Sequence, residues 1–267
     1  MTEPEPLKGL RRLGWTVYSA WFWLFVAVSS ILLFPIAVLI WLLTAPFDPR
    51  KRLLHQFTCF WASLYSWLNP VWRVSVTGRE LLHDDRPKVF VANHLSLVDI
   101  LVLFRTFADF KWVSKIEIFG MPVIGWNMRL NDYIPIVRGN RESAREMLRQ
   151  CEAALGRGSP IMMFPEGTRS VDGRLRPFKP GAFELALKTR CPIQPILIEG
   201  SGAALPKHGL VLRGRHPITI TVLPPLEPET FAGRDPESLA ADVHDLFAAE
   251  QAARRSAAGS REPTEPC

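Results

Sequence analysis

The chain has 267 residues, 48% of them hydrophobic, with nine Trp, 16 Phe, four Cys and a formal net charge of +6. That length fits one large α/β domain, or one domain with an attached segment. The composition excludes a collagenous chain, a disulfide scaffold and a wholly disordered protein. Charge is unevenly placed: residues 1–76 carry +4, residues 77–235 carry +5 and residues 236–267 carry −3, while seven of the nine Trp precede residue 73. Basic groups flank a greasy run instead of covering a polar face, which points to a membrane and against nucleic acid.

No charged residue occurs among the 35 positions from Leu13 to Phe47. A straight helix of that length runs roughly 50 Å, against a hydrocarbon core of about 30 Å. Pro35 lacks an amide donor and is expected to kink or break the helix. The run is too long for the apolar region of a cleaved signal peptide. Lys8, Arg11 and Arg12 stand before it, and Arg50, Lys51 and Arg52 after it. That tie leaves orientation open; it is what a re-entrant hairpin with both ends on the cytoplasmic side gives, and a tilted single span is the alternative. From Leu53 to Trp72 apolar residues recur at helical spacing, and Trp61, Tyr65, Trp67 and Trp72 suit the headgroup level, so an interfacial helix is expected there.

From Trp72 onward short apolar or β-branched runs alternate with helical stretches. Strands are expected at Trp72–Val76, Val89–Ala92, Lys111–Val113, Tyr133–Val137, Pro160–Phe164, Pro192–Ile198 and Ile218–Leu223. Helices are expected at Leu97–Phe107, Glu117–Leu130, Glu142–Leu155, Ala182–Lys188 and residues 236–255. This alternation predicts an α/β fold: a mostly parallel central sheet with helices on both faces, preceded by an N-terminal membrane-embedded helical segment. Residues 256–267 read as a disordered tail. Cys59, Cys151, Cys191 and Cys267 share no metal-ligand spacing and read as reduced structural thiols.

Asn93-His94-Leu95-Ser96-Leu97-Val98-Asp99 follows directly on one predicted strand. A His in the loop and an Asp in the first helical turn can form an imidazole–carboxylate pair suited to general-base work. The same residues contain a capping box, so Asp99 can equally be a helix cap. Phe164-Pro165-Glu166-Gly167-Thr168-Arg169-Ser170 follows another strand. Its tight turn is expected to present the Gly167 and Thr168 amides and the Arg169 guanidinium to a phosphate oxygen. Glu166 suits a substrate hydroxyl, or holds Arg169. Lys115 and Arg138 also follow predicted strands. If the strands are parallel, all these groups meet at one sheet edge, where open α/β folds bind ligands. A base and a phosphate clamp would share that edge. No nucleophile elbow, Walker A or dinucleotide fingerprint is present, and the remaining histidines form no metal-ligand cluster, so no metal is expected.

These blocks resemble the glycerolipid acyltransferases that acylate lysophosphatidic acid. Asn-His-x4-Asp is matched by Asn93-His94 through Asp99, an apolar run ending in Arg by Tyr133–Arg138, and Phe-Pro-Glu-Gly-Thr-Arg-Ser without change by Phe164–Ser170. Residues 192–198 match the family's fourth block loosely, with Gln194 where Val or Ile is usual. The resemblance covers roughly residues 70–225. It implies a 1-acylglycerol-3-phosphate O-acyltransferase of phospholipid biosynthesis that moves an acyl chain from acyl-CoA or acyl carrier protein to lysophosphatidic acid, giving phosphatidic acid. His94 would be the general base, Asp99 its orienting partner, and Lys115, Arg138, Glu166, Gly167, Thr168 and Arg169 the substrate-binding set. The donor is a substrate, and no other cofactor is implied. The lipid bilayer and a lysophospholipid are the expected partners, with the catalytic domain on the cytoplasmic face. Residues 1–72 would anchor, 73–255 catalyse and 256–267 trail. The same chemistry on another acceptor, such as lyso-ornithine lipid or glycerol-3-phosphate, is one alternative. A non-catalytic membrane lipid-binding protein is another, and the intact motifs speak against it.

Overall fold

The computed structural model describes residues 9–259 apart from His83, Lys207, His208 and Arg213. Helix α1 (Gly9–Thr44) is continuous through Pro35. The hairpin expected within the apolar run is therefore replaced by one helix, about 54 Å long at 1.5 Å per residue. Pro35 removes one backbone donor, which a long apolar helix tolerates because helical pairing is still the best satisfaction for its other amides. The chain reverses after Thr44, and α2 (Arg52–Trp67) packs back on α1.

One face of α1, including Ser19, Phe22, Ser30 and Ala37, is buried at helical spacing. The other exposes Leu13, Val17, Trp21, Leu24, Val28, Ile31, Leu32, Leu39 and Leu42 as an apolar stripe. Polar bonds pin the inner face. Tyr18 Oη donates to Asn69 Oδ1 at 2.9 Å, Trp23 Nε1 to the Leu210 carbonyl at 2.7 Å, and the Leu212 amide to Ser19 Oγ at 2.9 Å. The expected interfacial belt is corrected: Trp61, Tyr65 and Trp72 are buried, and Trp67, with Phe60 and Leu68, faces outward. The aromatic face of α2 found the core before the headgroups because it covers one side of the sheet.

The strands are β1 (Trp72–Thr77), β2 (Val89–Ala92), β3 (Lys111–Lys115), β4 (Ile134–Ile136), β5 (Ile161–Met163), β6 (Ile193–Glu199) and β7 (His216–Val222). They form one sheet in the order β1-β7-β6-β2-β5-β3-β4. Every neighbouring pair is parallel except β6 with β7. Strands β2 to β6 therefore all end at the same edge.

The helices after α2 are α3 (Val98–Leu103), α4 (Ile116–Phe119), α5 (Ile124–Leu130), α6 (Arg141–Gly156), α7 (Gly181–Thr189), α8 (Ser201–Ala204), α9 (Pro228–Phe231) and α10 (Pro236–Gly259). Central β2 is buried on both faces, as parallel strands are. Phe90 and Ala92 point into the core shared with α1, α2 and α3, while Val89 and Val91 point into the core under α6, α7 and α10.

Two predicted helices are shorter than their periodicity suggested. The segment 97–107 is α3 followed by a 3₁₀ turn, stopped by Phe107 at φ 54°. The segment 117–130 divides into α4 and α5 at Gly120–Val123, because Pro122 cannot continue a helix. A Cβ at Gly125 would lie 2.3 Å from the Phe119 carbonyl oxygen, so the first turn of α5 packs against α4 only with glycine there. Residues 256–259, expected in the tail, complete α10, and residues 260–267 lie outside the described residues.

Candidate active site

His94 leaves the C-terminal end of β2 in a loop whose backbone is tied on every side. The Asn93 side chain donates to the Ile198 carbonyl at 2.8 Å and accepts from the Ile198 amide at 2.7 Å, fixing the loop's root to β6. The His94 amide donates to Glu166 Oε1 at 2.9 Å, and its carbonyl accepts from the Ser170 amide at 2.8 Å. Both main-chain groups of His94 are thus held by the Glu-Gly-Thr-Arg segment, which leaves the neighbouring strand β5.

The imidazole is set by Asp99. Nδ1 lies 2.8 Å from Asp99 Oδ2, and the same oxygen accepts from the Leu95 and Ser96 amides at 2.6 and 2.8 Å. The pair and the cap read from the sequence are therefore one structure: Asp99 closes the helix start and holds the imidazole with one oxygen. A carboxylate only accepts, so Nδ1 carries the proton and Nε2 keeps its lone pair. The ring stacks on Phe164 with centroids 4.0 Å apart and planes within 10°, and Phe164 stacks in turn on Trp112. Its side chain is only 7% exposed, so rotation away from Asp99 would have to displace that stack.

The cationic groups converge beside it. Lys115, the last residue of β3, pairs with Glu117 at 2.9 Å. The exposed Glu117 carboxyl is held low by Lys115 first and feels Arg138 as well. Burial lowers the Arg169 guanidinium; Asp99 opposes that shift, and Arg138 adds to it. Lys115, Arg138, Arg169 and Asp99 thus share one electrostatic neighbourhood, as the parallel topology requires.

Two residues sit differently from the sequence reading. Glu166 was expected toward a substrate hydroxyl or Arg169; it is 2% exposed and its Oε1 serves the His94 amide. Burial pushes its carboxyl up to about 7, the His94 and Arg176 amides pulling the other way. The Gly167 amide, expected to face a phosphate, closes its own turn by donating to the Phe164 carbonyl at 3.0 Å. Glycine is needed there for φ of +69° and for room, since a Cβ would meet Cε and Nζ of Lys179 at 3.0 Å. Sequence reasoning gave no part to Asn93, Trp112, Glu117, Lys179 or the Ser170 amide. Asn93 stood beside the histidine, but its partner Ile198 lies 105 residues away.

Residues 73–199 match the sequence profile of the family described as Acyltransferase. The chain is 37% identical over 207 residues to a 1-acyl-sn-glycerol-3-phosphate acyltransferase of Chlamydomonas reinhardtii, covering 77% of this chain and 60% of the relative. It is 38% identical over 208 residues to a chloroplastic 1-acyl-sn-glycerol-3-phosphate acyltransferase of Brassica napus, covering 77% of this chain and 59% of that one. The chain thus spans about 60% of the length of these curated relatives. The fold matches the crystal structure of the 1-acyl-sn-glycerophosphate acyltransferase of Thermotoga maritima with a TM-score of 0.72, at 23% identity, over 91% of this chain and 98% of that one. On these matches, residues 73–199 form a domain of the Acyltransferase family, similar to the domains of 1-acyl-sn-glycerol-3-phosphate acyltransferases.

Proposed function

We propose that this protein transfers an acyl chain from a thioester donor to the free hydroxyl of lysophosphatidic acid, giving phosphatidic acid. The observation that carries the reading is the His94–Asp99 pair at 2.8 Å, which makes Nδ1 the donor and leaves Nε2 as the basic nitrogen of the neutral ring, with Arg169 coupled electrostatically to Asp99 and Arg138. Nε2 takes the hydroxyl proton as the oxygen attacks the thioester carbonyl. The C–S bond breaks, the C–O ester bond forms, and the imidazolium returns its proton to the departing thiolate. Asp99 stabilises the imidazolium between the two transfers. Arg169 and Arg138 clamp the acceptor's phosphate, with Lys115 completing the set once its pairing with Glu117 is exchanged for phosphate. The Thr168 amide is the turn's contribution to that clamp, while Gly167 shapes it and Glu166 fixes the His94 loop.

Residues 73–255 carry this chemistry and residues 1–72 hold it against the bilayer that contains its lipid substrate. α1 is long and apolar enough to cross a membrane, and its outward stripe supports membrane association; in this proposal the catalytic domain lies on the cytoplasmic face. The test offers purified protein a labelled acyl-CoA and labelled acyl carrier protein with a panel of lysolipids, with wild type and His94→Ala side by side. A general base contributes about 10²–10⁴-fold, so the variant should lose at least that much product while still partitioning to membranes. Near-normal turnover in His94→Ala would remove the assignment. A product other than phosphatidic acid would change the acceptor and keep the chemistry.

A further inference from the structure

Strands β2, β5 and β3 lie side by side in the sheet, and the chain places His94, Phe164 and Trp112 on or just after them in that order. Trp112 is in register with Met162, and Phe164, two residues on, shares that face. The outcome is a column of three rings. His94 lies on Phe164 with centroids 4.0 Å apart and planes within 10°, and Phe164 lies on Trp112 at 5.4 Å and 30°. Phe110 packs edge-on to Trp112 at 5.1 Å, so the far end of the column is fixed as well. Apart from limiting rotation of the imidazole, the mechanism above gives these rings no part.

We propose that Phe164 is a positioning residue that acts electrostatically: its ring face stabilises the imidazolium that His94 becomes on taking the acceptor's proton. The inference rests on the base role given to His94 above. Positive charge over an aromatic face is attracted by the negative π-cloud, and more strongly where water is excluded. The His94 side chain is 7% exposed, so solvent does little for that charge. Asp99 meets it at the ring edge, but Asp99 Oδ2 also accepts from the Leu95 and Ser96 amides, which spreads the carboxylate's charge. Phe164 supplies the second compensation, from the ring face.

The geometry favours the charged state. Two neutral rings prefer offset or edge-on contact with centroids about 4.5–7 Å apart, since both faces are negative. Trp21–Phe25 and Phe178–Phe183 stack in that range, at 5.8 and 6.3 Å. His94 and Phe164 are nearly parallel at 4.0 Å, a contact that becomes attractive when the imidazole gains a proton. The attraction appears as the hydroxyl proton moves to Nε2 and ends when the departing thiolate takes that proton. It therefore acts on the chemical step and not on the binding of either substrate. A leucine at 164 would fill much of the same space and supply no π-cloud.

The experiment uses the full chain in detergent micelles, with residue 164 as phenylalanine, 4-fluoro-, 3,5-difluoro- or 3,4,5-trifluorophenylalanine. Fluorine withdraws electron density from the ring face with little change in shape. Single-turnover rates are measured with lysophosphatidic acid and the thioester donor, acyl-CoA or acyl carrier protein, that wild type turns over. The rate should fall about twofold per fluorine, reaching about tenfold with the trifluoro ring, while the lysophosphatidic acid KM stays within about twofold. Phe164→Leu should lose at least about tenfold. A ring that serves only as packing gives a flat series, so equal rates across the fluorinated rings overturn the proposal even if Phe164→Leu is slow. So does a series in which KM rises and the rate holds. His94→Ala is assayed beside the series: near-normal turnover there, or no product from wild type, removes the base reading and this proposal with it.

Discussion

His94 is immobilised on four sides by neighbouring protein groups. Its amide goes to Glu166, its carbonyl to Ser170, its Nδ1 to Asp99 and its ring face to Phe164. Positioning of this kind matters because displacing a base by about 1 Å can cost 10²-fold in rate. Glu166→Ala leaves the buried His94 amide without its acceptor, a loss of about 1–3 kcal/mol in the loop. The expected result is a fall in kcat of about 10²-fold, with KM for lysophosphatidic acid unchanged and thermal stability only modestly lower. Glu166→Gln keeps an oxygen for the amide and should recover most of the rate. If Glu166→Ala instead raised the acceptor KM and left kcat alone, Glu166 would be a substrate ligand after all. Asn93→Ala, which frees the loop from Ile198 at its other end, should likewise lower kcat and not acceptor affinity.

At the scale of elements, α1 has two faces with different solvents. Its inner face is a protein interface with buried Phe22, hydroxyl bonds to Asn69 and Leu212 and an indole N–H bond to the Leu210 carbonyl. Its outer face is a continuous apolar stripe, larger than a soluble surface normally exposes. Leu24 and Ile31 are each 62% exposed, so lysines there disturb no core contact. At the depth of a hydrocarbon centre each lysine costs about 2.5–3.5 kcal/mol. The double variant Leu24→Lys/Ile31→Lys should therefore leave vesicles in a flotation assay while keeping its melting transition. Retention on vesicles equal to wild type would show that another surface makes the membrane contact. The sequence showed the apolar run plainly, but not its direction: which face of a uniformly apolar helix is inside depends on Tyr65, Asn69 and Trp72, which are distant in sequence.

Over the whole molecule, a buried polar cluster joins the helical pair to the sheet away from the active site. His55 on α2 bonds the Tyr133 hydroxyl at 2.8 Å and the Ala108 carbonyl at 3.0 Å. Lys111 donates to the carbonyls of Arg50 and Asn131. Burial, reinforced by Lys111, lowers His55 to about 3, so it stays neutral in the folded protein. Its unfolded value is about 6.5, so the unfolded chain binds the proton first. The His55 contribution is complete above about pH 6.5 and is lost progressively as pH falls toward 3, at about 1.4 kcal/mol per pH unit. The raised carboxyls of Glu166 and Asp109 act with the opposite sign, so the difference between variants isolates the histidine. Melting temperatures in micelles at pH 7 and pH 5 should separate more for wild type than for His55→Gln. Equal separations would mean that His55 is not kept neutral by the fold.

The sequence by itself determined the α/β alternation, the apolar segment and the identity of the reactive side chains. Short β-branched apolar runs such as Val89–Ala92, set between helical stretches, read as buried strands, and a histidine placed five residues before an aspartate already limits the geometry they can share. It placed Lys115, Arg138 and Arg169 at strand ends, and parallel strand direction then brought them together. What only the tertiary structure decided were the pairings between distant residues: Asn93 with Ile198, Glu166 with the His94 amide and the Phe164–Trp112 stack behind the base. Helix and strand periods come from backbone geometry within a few residues and are legible locally. Which oxygen meets which amide is fixed by strand order and packing, and no local pattern records that order.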